Sequence, residues 1–407
     1  MISVLKGNTT AWIGIVLAVA VLLLLGHVAR PVVYLSNDVD LYQKIAENAW
    51  TGSDMLKSEY PPLATALFAM VDPPAFPPPF PDVWRAFILL ASIGAAVWAA
   101  VRFSARDALG ILLSISATML LLGFDVTWGR YDILVGILLL MTWLAHRHEK
   151  YAASGLLLMI AAALKLVPFA LFPLLFLATP NKSRRSLVWG TLGGVTFATA
   201  LPFLILGTVG TIENILYMSV YHSSRGVQLE STWSGLTIFT EMLHGDKATM
   251  LFANGVHENI EVPKFIHFLS IVLVVAGLAG VYWQTARKRS GDLALPFLAA
   301  LSWLIAVSTV LSPQYAVWIL PLILFWSVER LFEKKQKNRC MVICILAIGC
   351  AIALLTHWLY PNRYEALLDQ KHIFPVLVLN LRNALFFALT GICYFASTSK
   401  SRSTSAG

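Results

Sequence analysis

Twelve apolar runs, at about 12–29, 86–101, 109–124, 131–145, 151–164, 166–179, 187–207, 265–283, 293–311, 315–328, 340–358 and 373–396, occupy most of this chain. They lack the alternation of a half-buried strand, and the longer ones approach the roughly 20 residues a helix needs to cross a bilayer. In hydrocarbon every backbone N–H and C=O must find its partner within the protein, so helices are the expected solution. The expectation is an all-α, polytopic membrane protein of about 12 transmembrane helices, forming one domain over residues 1–407. Charged residues make up only 13% of the chain, against roughly 25% in an average soluble domain.

The first run continues through Leu22 to Leu25 with no small-residue cleavage site behind it, and reads as a retained anchor. With a cytoplasmic N-terminus, the loops carrying Arg102, Arg147, Lys150, Arg185 and Arg287 fall inside, as does the tail 397–407. The net charge of +8 then reflects topology, and no nucleic-acid partner is expected. Two outer segments, about 30–85 and about 208–264, are longer than ordinary connections. In the first, Leu63–Val71 is too short to span and is followed by Pro73, Pro74, Pro78 and Pro79, which predicts short interfacial helices and then an extended turn. Cys340, Cys344, Cys350 and Cys393 lie in apolar runs and read as packing residues.

Under this topology the unusual polar groups share the outer side. Asp38 and Asp40 follow the first span, where two carboxylates either serve chemistry at the bilayer surface or cap a helix over 41–49. Arg130 and Asp132 link two short spans, lining a cavity or pairing with each other in a solvated loop. Lys165, three residues before Pro168, reads as a phosphate ligand or a snorkelling anchor. His222 and Arg225 are phosphate candidates too, although Arg225 has Glu230 as a nearby partner and His222 suits an ordinary loop. The turn Ser312-Pro313-Gln314-Tyr315 is either structural or brings Gln314 to a phosphate or sugar hydroxyl. No metal-ligand spacing is evident, His146 and His148 belonging to an inner loop. A transporter or flippase of a lipid-linked or soluble substrate is the alternative class, but transporters often carry repeats, none of which is visible, and charges near the midplane.

Asp38-x-x-x-Tyr42, Tyr60-Pro61-Pro62-Leu63, Lys165-x-x-Pro168, the stretch Arg225 to Ser231, and Ser312-Pro313-Gln314-Tyr315 with Trp318 and Pro321 occur in order along the chain. Together they resemble the polyprenyl-phosphate-mannose-dependent mannosyltransferases of glycosyltransferase family 87, in the GT-C class. The Asp38-Val39-Asp40 pattern is similar as well to mannosyltransferases that act on glycosylphosphatidylinositol precursors. The resemblance implies a GT-C-like fold and a metal-independent, inverting hexosyltransferase. It uses a lipid-linked sugar donor as co-substrate, with no other cofactor, and a lipid or glycan acceptor at the outer or lumenal face. A bacterial plasma membrane is the expected setting, the endoplasmic reticulum the alternative. Asp38 matches the catalytic aspartate of the first outer loop, with Asp40 as a supporting carboxylate. Lys165, His222, Arg225, Gln314 and Tyr315 are the candidates for donor phosphate or sugar, and Tyr42, Tyr60, Arg130, Asp132 and Glu230 for the cavity lining. Nothing after Pro321 matches the family pattern.

The chemistry asks for the same parts. Inverting transfer needs one carboxylate to take the acceptor proton and a cationic or hydrogen-bonding cradle for the departing phosphate.

Overall fold

A computed structural model of the chain describes residues 9–52, 56–74, 78–253, 255–288, 292–333 and 338–398. Most of the expected tail, from 399 onward, lies outside the described residues. Helix α1 (Thr9–Val28) leads through α2 (Arg30–Tyr34) to α3 (Asn37–Thr51) and α4 (Pro62–Val71), so the first long connection holds short helices as expected. Ser36 caps α3, its Oγ accepting from the Val39 amide at 3.4 Å, and Gly52 ends it in the left-handed region at φ 57°. Asp38 and Asp40 therefore stand inside the first helical turn, and the capping role proposed for them over 41–49 belongs to Ser36.

Helices α5 (Phe80–Arg102) and α6 (Ala105–Leu122) form a hairpin, and the one-turn α7 (Phe124–Thr127) leads to α8 (Asp132–Arg147). After α9 (Tyr151–Leu164), a 3-10 turn at Val167–Leu171 leads into α10 (Phe172–Ala178). The 41-residue α11 (Arg184–Ser224) bends at Gly207, whose φ of 69° no other residue adopts easily, and so continues helically into the segment expected as outer loop. That segment also holds α12 (Thr232–His244) and the antiparallel hairpin β1 (Met250–Ala253) and β2 (Val256–Asn259), a small departure from an all-helical fold. Helices α13 (Phe265–Lys288), α14 (Ala294–Val307), α15 (Leu320–Phe332), α16 (Arg339–Leu359), α17 (Tyr364–Asp369) and α18 (Ile373–Thr398) complete the chain, with a 3-10 turn at Pro313–Trp318 before α15.

Among the described residues, eight helices have the length and hydropathy to cross a membrane, not twelve. The other four expected spans are α8, α9, α10 and α14, of 16, 14, 7 and 14 residues. At 1.5 Å per residue, 14 residues reach roughly 21 Å, less than the hydrocarbon thickness of about 30 Å. Almost every residue of α8 is buried, so its uniformly apolar surface meets protein. It packs on α5, α9, α15 and the 313–318 turn, where Gly136 admits the Val317 carbonyl so closely that a Cβ would collide with it. All four cysteines are unpaired; Cys393 is buried, whereas Cys340 and Cys344 are exposed on α16 and do not pack in the core.

The two ends of α8 carry different chemistry. At its C-terminal end Asp292 accepts from Trp143 at 2.9 Å and Arg330 at 2.7 Å, and Arg147 pairs with Glu329. Its N-terminus, roughly 24 Å away at the helical rise, holds Asp132 and the groups described next.

Candidate active site

Asp38 projects from the first turn of α3 toward the loop before α8. Its Oδ2 lies 3.1 Å from Arg130 Nη2, and its Oδ1 makes no hydrogen bond among the described residues. The side chain is 26% exposed, so the carboxylate is only partly covered by protein. Arg130 is shared three ways: Nη1 donates to Gln314 Oε1 at 2.5 Å, Nη2 donates to the Tyr360 hydroxyl at 3.0 Å, and the guanidinium lies 5.3 Å from the centre of the Tyr360 ring. Burial opposes the charge on Arg130, but Asp38 and Tyr360 outweigh it and raise its pKa.

A second ion pair stands beside the first. Asp132, only 1% exposed, receives the Trp318 indole N–H at 2.9 Å and lies 3.4 Å from Lys165 Nζ. A carboxylate this deep is costly unless paired and hydrogen-bonded, and both conditions are met. Lys165 ends α9 in an extended conformation that turns its ammonium back among the rings of Tyr131, Tyr315 and Trp318, at 5.1, 5.6 and 5.9 Å. Tyr315 and Trp318 stack with centroids 4.2 Å apart.

An aromatic floor joins the pairs. Tyr42 stacks on Phe68 at 4.2 Å and meets Tyr60 and Tyr131 edge-on at 5.5 and 6.0 Å. Burial raises the pKa of the Tyr42 and Tyr60 phenols, so both remain neutral donors. The loop bearing Tyr60 is fastened to the second half of α11. Glu213 accepts from the Leu56 amide at 3.0 Å, and Asn214 donates to the carbonyls of Ser58 and Tyr60 at 2.9 and 3.0 Å. His222 Nε2 donates to the Glu59 carbonyl at 3.1 Å, so it shares in this fastening. Burial raises the pKa of the Glu59 carboxyl, with Arg225 opposing.

Three expected residues stand apart from the two pairs. Asp40 is exposed and has no ion pair among the described residues. Arg225 lies over the Tyr221 ring at 5.3 Å rather than on Glu230, and its Nε is buried without a hydrogen-bond partner. Glu230 is 1% exposed; Arg382 and Asn383 of α18 bond its backbone carbonyl, while its Oε2 is unpartnered. The suggested local pair of Arg130 with Asp132 is replaced by the pairs with Asp38 and Lys165. Sequence reasoning missed Tyr360, Tyr131 and Arg382. Tyr360-Pro361 directly after an apolar run was a visible signal, since that position falls on the expected outer side.

The arrangement can hold a nucleophilic hydroxyl at Asp38 and an anion near Lys165. The family model for glycosyltransferase family 87 matches residues 59–313, which contain Tyr60, Arg130, Asp132, Lys165, His222, Arg225 and Glu230. Asp38, Gln314, Tyr315 and Tyr360 lie outside that stretch. No curated protein matches the chain.

Proposed function

Because the chain belongs to glycosyltransferase family 87, matched over more than half its length, we propose that it moves a hexose, mannose first among the candidates, from a polyprenyl-phosphate donor to a lipid or glycan acceptor. It is an integral membrane glycosyltransferase. The site faces the outer side of a bacterial plasma membrane in this reading. The observation that carries the proposal is the pair of ion pairs at one end of α8: a partly exposed carboxylate oriented by Arg130, beside an ammonium held at the centre of three rings.

In this reading Asp38 Oδ1 accepts the proton of the acceptor hydroxyl as its oxygen bonds to the anomeric carbon. The bond from that carbon to the phosphate oxygen breaks on the opposite face, and its electron pair leaves with the prenyl phosphate. Lys165 meets the charge that develops on the phosphate, and Arg225 supports it from the loop after α11. Gln314, held by Arg130, orients a sugar or phosphate oxygen, and Tyr42 and Tyr60 form the floor under the sugar. Asp40, two residues on and exposed, is on a different face of α3 and is at most an indirect, auxiliary carboxylate.

The deciding experiment is product analysis after incubating the purified protein in detergent with radiolabelled polyprenyl-phosphate-mannose and a lipid extract. A new labelled glycan or glycolipid is expected, formed without a membrane gradient. Label that stays on the donor under all acceptor conditions would refute the proposal.

A further inference from the structure

Behind the rings that surround Lys165 lies an apolar cavity of about 200 Å³, between α13, α14 and the turns at 167–171 and 313–318. Val167, Ile271, Val274 and Leu304 form its aliphatic wall. Its serines are spent within the protein, Ser270 donating to the Val307 carbonyl at 2.6 Å and Ser308 to the Val310 carbonyl at 2.7 Å. Ile271 belongs to the exposed apolar face of α13, so the cavity meets the surface that the bundle presents to lipid. Its inner wall is Tyr315 and Trp318, the two stacked rings that also flank the ammonium of Lys165.

Lys165 is not itself in the lining, and a ligand that fills the cavity and reaches past the edge of this wall to the ammonium carries an anion joined directly to an apolar chain. We propose that the cavity seats the first isoprene units of a prenyl phosphate, with the Tyr315–Trp318 stack separating the chain from a phosphate at Lys165. The inference rests on the donor reading given above and adds where its lipid lies. Flat, methyl-branched isoprene units pack well against ring faces, and the remaining chain runs out along α13 into the bilayer. The volume is below the roughly 300 Å³ of a small-ligand pocket, in keeping with a slot for the head of a long chain.

Two arms test this. Purified protein in detergent is irradiated with a diazirine-bearing farnesyl phosphate, and the label is mapped by peptide mass spectrometry. Label is expected in α13 and α14, and is expected to fall in Ile271→Trp and Val274→Trp, which fill the slot. In the same variants KM for the prenyl-phosphate sugar donor should rise about tenfold with kcat retained, because binding common to ground and transition states is lost. Val275→Trp, also on α13 but outside the lining, should change neither. Label mapping elsewhere, unchanged KM in the filling variants, an equal loss in Val275→Trp, or displacement by dodecyl phosphate as effective as by farnesyl phosphate each overturns the proposal. If the wild type transfers no sugar, the donor reading fails, and the labelling arm still decides on the slot.

Discussion

Arg130 Nη2 stands 3.1 Å from Asp38 Oδ2 and 3.0 Å from the Tyr360 hydroxyl, so one nitrogen ties α3 to the turn after α16. Asp38→Asn keeps the shape of the side chain and its place beside Arg130 but removes the base. Turnover should fall by about 10²–10⁴-fold while the protein still inserts, with a lower melting temperature because Arg130 loses its carboxylate partner. Transfer assays in vesicles with labelled donor measure this, and near wild-type turnover would remove Asp38 from the role.

Tyr360 orients the arginine from outside the stretch that matches the family model. Tyr360→Phe preserves the ring beneath the guanidinium and deletes only the acceptor oxygen. The expected result is a drop in kcat of roughly ten- to 150-fold with donor KM little changed, the scale of one hydrogen bond to a charged group at about 1.5–3 kcal/mol. A matching rise in donor KM, with kcat constant, would mean that Tyr360 contacts the donor instead.

The gathering of these groups was legible in the sequence, whereas their pairing was not. Charge bias in the loops put Asp38, Arg130, Lys165 and Gln314 on one side, and the contacts around the N-terminus of α8 unite all four. Local reasoning offered Arg130 to Asp132 and Arg225 to Glu230 as partners. Residues two apart do not face each other at a helix start, and the real partners arrive from α3 and α9. Hydropathy alone also did not show that α8 is a short helix buried among its neighbours, below the length of a full span.

Lys165 can be tested for two roles separately. Lys165→Met leaves Asp132 buried with only the Trp318 indole for company, and should cost about 3–5 kcal/mol in stability. Lys165→Met with Asp132→Asn removes both charges and should recover most of the thermal stability. If Lys165 also meets the donor phosphate, transfer stays impaired in the double variant despite its restored melting temperature. Recovery of transfer along with stability would confine Lys165 to a structural role.

Arg225 presents a guanidinium with a buried, unpartnered Nε, and no described carboxylate forms a salt bridge with it. Arg225→Ala should therefore raise the donor concentration needed for half-maximal rate by about tenfold while shifting the melting temperature little. Initial rates across a donor series read this directly. An unchanged donor dependence would take Arg225 off the donor path.

Glu230 gives a prediction in pH. Burial pushes its carboxyl up to about 7, with Arg382 and Arg130 opposing, against an ordinary value of 4.5. The folded protein then binds this proton more tightly than the unfolded chain, so the contribution to stability is full below about pH 4.5 and is lost as pH rises through about 7. The whole change is at most roughly 3 kcal/mol, since a tenfold difference in proton affinity between the folded and unfolded chains is worth about 1.4 kcal/mol. Glu230→Gln keeps the neutral, hydrogen-bonding form and cannot titrate. Its melting temperature should stay flatter than that of the wild type between pH 5 and 7.5 and exceed it at pH 8. Parallel melting curves for the two proteins across that range would mean that Glu230 is ionised throughout, matched by the buried guanidinium of Arg382.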